Sequence, residues 1–140
     1  MDRRDFLQKS MFLAAGMAGV AAFVESCSKS NSSQPSAPTV DFTIDISTSQ
    51  YSALNNNGSY VYYSASSIII ARDKSGNFVA LYDVCPHAGC TVQFDGSSKF
   101  PCPCHGSMFD ENGNVTAGPA TSGLKKYATS LSGTQLRVHG

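Results

Sequence analysis

Two segments decide how this 140-residue chain folds: Cys85-Pro86-His87-Ala88-Gly89-Cys90 and Cys102-Pro103-Cys104-His105-Gly106-Ser107. Each segment holds two cysteines and one histidine, and eleven residues separate the two. Thiolate and imidazole groups in paired loops are typical of protein metal sites, where they share one metal or divide over two irons. We therefore expect the fold to bring the two segments together around a metal centre.

Two other interpretations of these segments are open. A structural zinc site would take four of the cysteines and histidines in a tetrahedron. It would leave a further cysteine in each segment unexplained, together with the Gly-Ser pair after the second histidine. Two disulfides beside solvent-exposed histidines would suit an exported domain, but they give the matched histidines no purpose.

The composition favours a small β protein with many loops. Charged residues make up 14% of the chain, and ten acidic residues balance ten basic ones. Nucleic-acid binding usually requires a basic face, which this balance does not indicate, so no nucleic-acid partner is expected. The sequence also has no Gly-rich nucleotide-binding loop between a strand and a helix.

From Val40 onward the chain has the pattern of short strands and turns. Residues Val40–Ile46 alternate with period two, as in a half-buried strand. Further strands are predicted at Tyr60–Tyr63, Ser67–Ala71 and Phe78–Tyr82, the last two joined by a turn at Asp73–Asn77. Other turns are predicted at Asp95–Ser98, Glu111–Asn114 and Ser132–Gly133. We predict an all-β antiparallel sandwich over residues 40–140, with an inserted loop-rich subdomain near 84–119.

The N-terminus has the pattern of an export signal. Arg3-Arg4-Asp5-Phe6-Leu7 resembles a twin-arginine motif, and Met11–Val24 is an apolar run of fourteen residues. As a helix this run extends about 21 Å, which is shorter than the roughly 30 Å of a bilayer core. The length is ordinary for the core of a signal peptide. The sequence therefore predicts an exported protein.

The fifth cysteine, Cys27, follows this run directly. Its surroundings resemble a lipoprotein cleavage box, although Glu25 is unusual there. We predict that residues 1–27 are an export signal and that Cys27 carries a lipid, with a retained short anchor as the alternative. Residues 28–39 are rich in Ser, Asn and Pro, which is typical of a flexible tether. The protein is then expected on the envelope side of a membrane, attached to it.

The two cysteine–histidine segments resemble the motifs of high-potential Rieske [2Fe–2S] proteins, C-x-H-x-G-C and C-P-C-H-G-S. The resemblance implies a Rieske-type β sandwich with a small cluster-binding subdomain. It also implies one [2Fe–2S] cluster, with Cys85 and Cys102 on one iron and His87 and His105 on the other. Neutral imidazoles make such a site less negative than four thiolates, so the reduction potential rises. The iron held by the histidines is expected near the surface.

The resemblance assigns roles to further residues of the two segments. Cys90 and Cys104 would form a disulfide that joins the loops, and the hydroxyl of Ser107 would donate to a bridging sulfide. A twin-arginine route, which carries folded proteins, suits a cofactor that is inserted before export.

Three positions differ from the best-known family members. Phe109 stands where a tyrosine usually donates to a cysteine ligand, so one hydrogen bond is absent and a lower potential is expected. Ala88 stands where quinol-oxidising members have a leucine. Residues 118–120, Gly-Pro-Ala, resemble the loop that covers the cluster, but Thr121 replaces its usual second proline.

The resemblance implies electron transfer as a redox subunit of a membrane-associated or periplasmic oxidoreductase. A bc-type quinol–cytochrome c reductase and an arsenite-oxidase-like enzyme are the two kinds of complex considered, and a free-standing carrier is the third case. The partner would be a cytochrome or a catalytic subunit, and the chain alone is not expected to be a catalyst. The alternative from another functional class is an exported binding domain stabilised by zinc, without a redox role.

Overall fold

A computed structural model describes residues 36–140 of the chain. The predicted export signal, the lipid attachment at Cys27 and most of the predicted tether lie outside the described residues. Within residues 36–140, no helix is long and apolar enough to cross a membrane.

The described residues form nine strands and two short 3-10 helices, as the all-β prediction requires. The strands are β1 (Asp41–Asp45), β2 (Tyr60–Tyr63), β3 (Ile68–Arg72), β4 (Phe78–Tyr82), β5 (Phe100–Pro101), β6 (Met108–Phe109), β7 (Val115–Ala117), β8 (Lys126–Ser132) and β9 (Gln135–His139). The 3-10 helices are Ser52–Asn55 and Ser64–Ser66. The predicted all-β class is confirmed for this part of the chain.

The strands form two antiparallel sheets. Six strands follow the order β1-β9-β8-β4-β3-β2, and β5-β6-β7 form a small second sheet. Strand β8 belongs to both halves of the large sheet. Its first residues, Lys126 and Tyr127, pair with β4, whereas residues 128–132 pair with β9. This change of partner along one strand lets the sheet curl around its own core.

Strand β3 separates two hydrophobic cores. Successive side chains of a strand point to opposite faces, so Ile68 and Ile70 pack into one core, and Ile69 and Ala71 into the other. The first core is enclosed by the large sheet and also contains Ile44, Ile46, Leu54, Ala80, Tyr82, Tyr127, Leu136 and Val138. The second core lies between β3–β4 and the inserted subdomain and also contains Val79, Leu81, Cys85, Val92, Phe94, Phe100, Cys102, Phe109, Ala120 and Leu124.

Three of the four predicted turns are shaped by an aspartate, which stands at the first position of two of them and directly before the third. Asp73, Asp95 and Asp110 each accept backbone N–H bonds from residues two to four positions later, at 2.8–3.1 Å. Such bonds hold the backbone in a tight turn without help from the rest of the fold. The turns at these three positions were therefore visible in the sequence.

The last residues of the predicted tether pack against the domain. The carbonyl of Pro38 accepts hydrogen bonds from Lys125 Nζ at 3.0 Å and from the Tyr127 hydroxyl at 2.9 Å. Ala37 packs against the core enclosed by the large sheet, and Val40 exchanges backbone bonds with Gly140. The contacts of the domain thus begin no later than Ala37.

The two-core arrangement predicts the cost of truncating β3. Ile69→Ala and Ile70→Ala each leave a cavity in a different core, so each should lower the free energy of unfolding by about 2–5 kcal/mol. Ser130→Ala, on an exposed position of β8, is the control and should change it by less than about 0.5 kcal/mol. Urea unfolding measures all three, and a wild-type midpoint for either isoleucine variant would contradict the arrangement.

Candidate metal centre

The two cysteine–histidine segments are the ends of two hairpins. Residues 85–90 lie between Val84 and Thr91, which form an isolated antiparallel bridge. Residues 102–107 connect β5 to β6, where Phe100 pairs with Phe109. Each loop therefore starts and ends on paired backbone, which fixes its position against the core.

The two loops share one backbone plan. Each starts with a cysteine whose amide donates to the carbonyl five residues later and whose carbonyl accepts from a glycine amide four residues later. The bonds are Cys85 N to Cys90 O at 2.8 Å, Gly89 N to Cys85 O at 2.8 Å, Cys102 N to Ser107 O at 2.7 Å and Gly106 N to Cys102 O at 3.1 Å. The plan places Cys85 and Cys102 at equivalent positions of the two loops.

The glycines of the loops are required by backbone conformation. Gly89 has φ +74° and Gly106 has φ +81°, a region that other residues rarely adopt. A Cβ at either position would meet nothing within 4 Å. The glycine therefore serves the turn itself and not a close approach by a neighbouring group.

A disulfide between Cys90 and Cys104 joins the loops, with their Cα atoms 6.4 Å apart. This is the pair that the family resemblance implies. Because it connects residues 14 positions apart, it also constrains the unfolded chain. The two loops are thereby held side by side.

The remaining cysteines of the loops, Cys85 and Cys102, are free thiols with 0% and 2% of their surface exposed. Burial raises the pKa of the Cys102 thiol, and the neighbouring Cys85 thiol adds to this rise. The backbone amides of Cys104 and His105 donate to the same sulfur and lower its pKa. An apolar wall with amide donors directed at sulfur suits a thiolate ligand of a metal centre.

The histidines of the two loops are exposed to solvent, unlike the free cysteines. His87 and His105 are both exposed, and their ring centroids are 4.7 Å apart at an interplanar angle of 82°. The structure thus arranges the four predicted ligands as an inner pair of thiols and an outer pair of imidazoles. Sequence reasoning expected the histidine side to face the surface, and the positions of the rings agree with it.

Ser107 is fully buried beside this arrangement. Its Oγ accepts a hydrogen bond from the amide of Ala120 at 2.9 Å. Within residues 36–140 the Ser107 hydroxyl donates to no protein acceptor. The same bond places Ala120, the last residue of the predicted covering loop, against the second cysteine–histidine loop.

The donor set, two buried thiols and two exposed imidazoles, suits a [2Fe–2S] cluster. In the part of the chain described, no three His, Cys, Asp or Glu side chains are arranged to hold a single ion. In a Rieske cluster each iron needs only two protein ligands, because one iron takes two cysteines and the other takes two histidines. Three features suit such a cluster: the buried thiols, the backbone amides directed at sulfur, and the Ser107 hydroxyl, which donates to no protein acceptor within residues 36–140.

The positions that differ from well-known family members lie around the loops. Phe109 is fully buried in the same core as the two free thiols, so its ring is close to the site but carries no hydroxyl. Ala88 and Thr121 are exposed. They change the outer surface and not the packing beneath it.

Sequence reasoning missed two groups next to the site. One is the amide of Ala120, whose contact with Ser107 spans 13 residues. The other is Asp83, which is 6% exposed and precedes the first loop. The one signal in the sequence was a single charge within the apolar run Leu81–Cys85. Burial raises the pKa of Asp83.

Comparisons with known proteins agree with this geometry. Residues 44–128 match the model of the Rieske [2Fe-2S] domain family. The cytochrome b6-f complex iron-sulfur subunit of Chlorobaculum tepidum is 26% identical over 131 residues, which cover 93% of this chain and 71% of that protein. The corresponding subunit of Prochlorococcus marinus strain AS9601 is 55% identical over 58 residues, 41% of this chain. That match covers only 32% of the relative, so the chain spans about a third of it.

Solved structures have the same fold. The plasma membrane Rieske protein PetC3 from Synechocystis PCC 6803 has a TM-score of 0.56 and 29% identity, and the match covers 71% of this chain and 99% of that one. The ferredoxin complexed with the oxygenase of carbazole 1,9a-dioxygenase has a TM-score of 0.56 at 20% identity, with 74% and 95% covered. The second likeness concerns the fold alone.

The family match spans more than half of the chain and contains both hairpin loops. It supports one [2Fe–2S] cluster and gives no support to the zinc alternative. The chain belongs to the Rieske [2Fe–2S] domain family.

Proposed function

We propose that this protein transfers electrons through one Rieske cluster bound by Cys85, Cys102, His87 and His105. The observation that carries the proposal is the division of these four side chains into buried thiols and exposed imidazoles on two equivalent loops. The cluster supplies one-electron chemistry when it is bound. The protein holds it, shields its inner side and exposes its outer side.

The inner side is shielded by the second core. Cys85 and Cys102 enter that core together with Phe100 and Phe109, so water is kept from the thiolates. Burial of this kind and the number of hydrogen bonds to sulfur set the potential of an iron–sulfur site. The His87 and His105 rings provide the edge at which a partner can approach.

We propose that the Ser107 hydroxyl raises the reduction potential of the cluster. Phe109, which has no hydroxyl, leaves the potential lower than a tyrosine at the same position would. The Ser107 hydroxyl donates a bond that stabilises the reduced, more negative state, whereas Phe109 supplies none. A hydrogen bond worth about 1.4 kcal/mol in one redox state corresponds to about 60 mV for a one-electron couple.

Ser107→Ala should therefore lower the midpoint potential, and Phe109→Tyr should raise it, each by roughly 60 mV. Redox titration followed by visible absorption measures both shifts. Met108→Leu is the control, because Met108 lies between the two residues but is exposed, and its potential should stay near the wild-type value. Equal potentials for the wild type and the Phe109→Tyr protein would show that this position does not tune the cluster.

The function itself is tested by the purified protein. We expect two irons and two acid-labile sulfides per chain and, after reduction, an EPR signal with an average g below 2. His105→Ala and Cys102→Ala should lose this signal, and His139→Ala, on β9, should keep it. A colourless protein that contains zinc would overturn the proposal in favour of a binding domain without redox function.

The partner is proposed to be a redox protein of a membrane complex, as in the cytochrome b6-f complex to which the named relatives belong. No charged residue occurs in 84–91 or in 100–109, so the surface around the imidazoles offers uncharged contacts. The subunit of a bc-type complex is the form that the relatives favour. Ala88 in place of leucine distinguishes this chain from quinol-oxidising members.

Attachment to the outer face of a membrane is proposed to occur through the N-terminus. In this proposal residues 1–27 direct export, Cys27 carries the lipid, a tether follows, and residues 84–119 form the cluster-binding subdomain within residues 40–140. Ala37 and Pro38 contact the domain, so the proposed tether comprises residues 28–36.

Cys27→Ser should release the protein from the membrane fraction without changing its visible spectrum, since Cys27 has no part in the proposed cluster. Fractionation of cells that produce the full chain measures the distribution, and Ser26→Ala is the matched control. Membrane retention of the Cys27→Ser protein would favour the retained anchor instead.

A further inference from the structure

An open depression lies beside the stem of the first hairpin loop, on the side of β2 and β3. It has a volume of about 360 Å³ and is lined by Tyr62, Ser64, Ser67, Asp83, Val84 and Thr91. Val84 and Thr91 are the bridged residues from which the first loop projects. Small-molecule sites have volumes of about 300–1,000 Å³, so the depression has room for more than one water molecule.

Asp83 is the unusual residue of this depression. It is only 6% exposed, yet within residues 36–140 its carboxylate takes part in no hydrogen bond or ion pair. A buried carboxylate without a partner is costly. Asp73 has the same exposure, but its carboxylate accepts bonds from the Asn77 amide and side chain.

The Asp83 carboxylate faces the depression. In the described residues, no fully enclosed side-chain oxygen or nitrogen lacks a hydrogen-bond partner. The unpartnered oxygens of Asp83 must therefore touch open space, and the depression that Asp83 lines provides it. The structure thus places the Asp83 carboxylate at the depression, and no cationic side chain among residues 36–140 pairs with it.

The other lining groups suit an organic cation. The hydroxyls of Ser64, Ser67 and Thr91 make no hydrogen bonds within the described residues and offer acceptor oxygens. Tyr62 contributes an aromatic ring, which attracts cations. Its hydroxyl donates to the Val92 carbonyl at 2.9 Å, which fixes the ring, and burial raises its pKa to about 12, so it stays neutral.

We propose that this depression binds an ammonium or guanidinium group through the Asp83 carboxylate, with the hydroxyls of Ser64, Ser67 and Thr91 as further acceptors. An anion is excluded by the carboxylate. A neutral ligand would leave the charge without a partner. The group is either that of a small free amine or that of a basic side chain on a partner protein.

Isothermal titration of the cluster-loaded protein with butylguanidinium tests the proposal, with butylurea as the neutral analogue of the same shape. We expect the guanidinium to bind and the urea not to bind. Asp83→Asn should weaken guanidinium binding at least about tenfold, and Ser64→Ala should weaken it by a smaller factor. Equal binding of the two probes, or no binding of the guanidinium, would overturn the proposal.

Asp73→Asn is the matched control, because Asp73 is equally buried but lies outside the depression. It should bind butylguanidinium as the wild type does. The Asp83→Asn protein should unfold at a temperature no lower than the wild type, since it loses an unpaired buried charge. Wild-type affinity in a folded, cluster-loaded Asp83→Asn protein would refute the role of the carboxylate.

A third probe, Nα-acetyl-arginine methylamide, distinguishes the two sources of the cation. Binding as strong as that of butylguanidinium indicates a site that admits a side chain presented on a protein backbone. Binding of butylguanidinium alone indicates a site for small free amines. Both outcomes leave the recognition chemistry in place, and neither depends on the electron-transfer function.

Discussion

The burial of β3 on both faces is the constraint on which the rest of the structure depends. Ile68, Ile69 and Ile70 are all fully buried, and each isoleucine contributes about 1.5–3 kcal/mol by leaving water. One face closes the core of the large sheet, and the other forms the floor of the inserted subdomain. The hairpin loops have no such floor of their own, because β5 and β6 are two residues long.

The arrangement of the metal centre follows from that floor. A cysteine at the first position of each loop reaches down into the second core, whereas a histidine two or three positions later lies on the outer side. Because the two loops share the same backbone hydrogen bonds, each of them has a buried thiol at its first position and an exposed imidazole further along. The Cys90–Cys104 disulfide holds the two loops in the alignment that this arrangement requires.

The sequence predicts those parts of the structure that depend on neighbouring residues. Tyr60–Tyr63 and Phe78–Tyr82 are strands with the predicted bounds, because their apolar and β-branched residues are consecutive. The turn at Asp73 was predictable as well, because its aspartate accepts a hydrogen bond from a residue only four positions later. The two cysteine–histidine loops were visible because metal ligation imposes residue type and spacing together.

The remaining features depend on residues far apart in the chain. Strands of two or three residues, such as β5, exist only because their partners are already in place. The pairing of β8 with both β4 and β9 has no local signal. Likewise, the burial of Asp83 results from packing by segments around Ser67 and Val92, whose backbones hydrogen-bond to its own. The two loops that carry the proposed ligands were thus predictable, but their polar surroundings were not.

The fold alone does not choose the partner, because PetC3 and an oxygenase ferredoxin match it with the same TM-score of 0.56. The redox partner must therefore be selected by the surface of the domain. The two loops that carry His87 and His105 have no charged side chain, and ten acidic and ten basic residues leave the chain without a net charge. Long-range electrostatic steering is therefore weak. In the proposed arrangement, attachment of the domain near a membrane complex supplies by local concentration what charge does not.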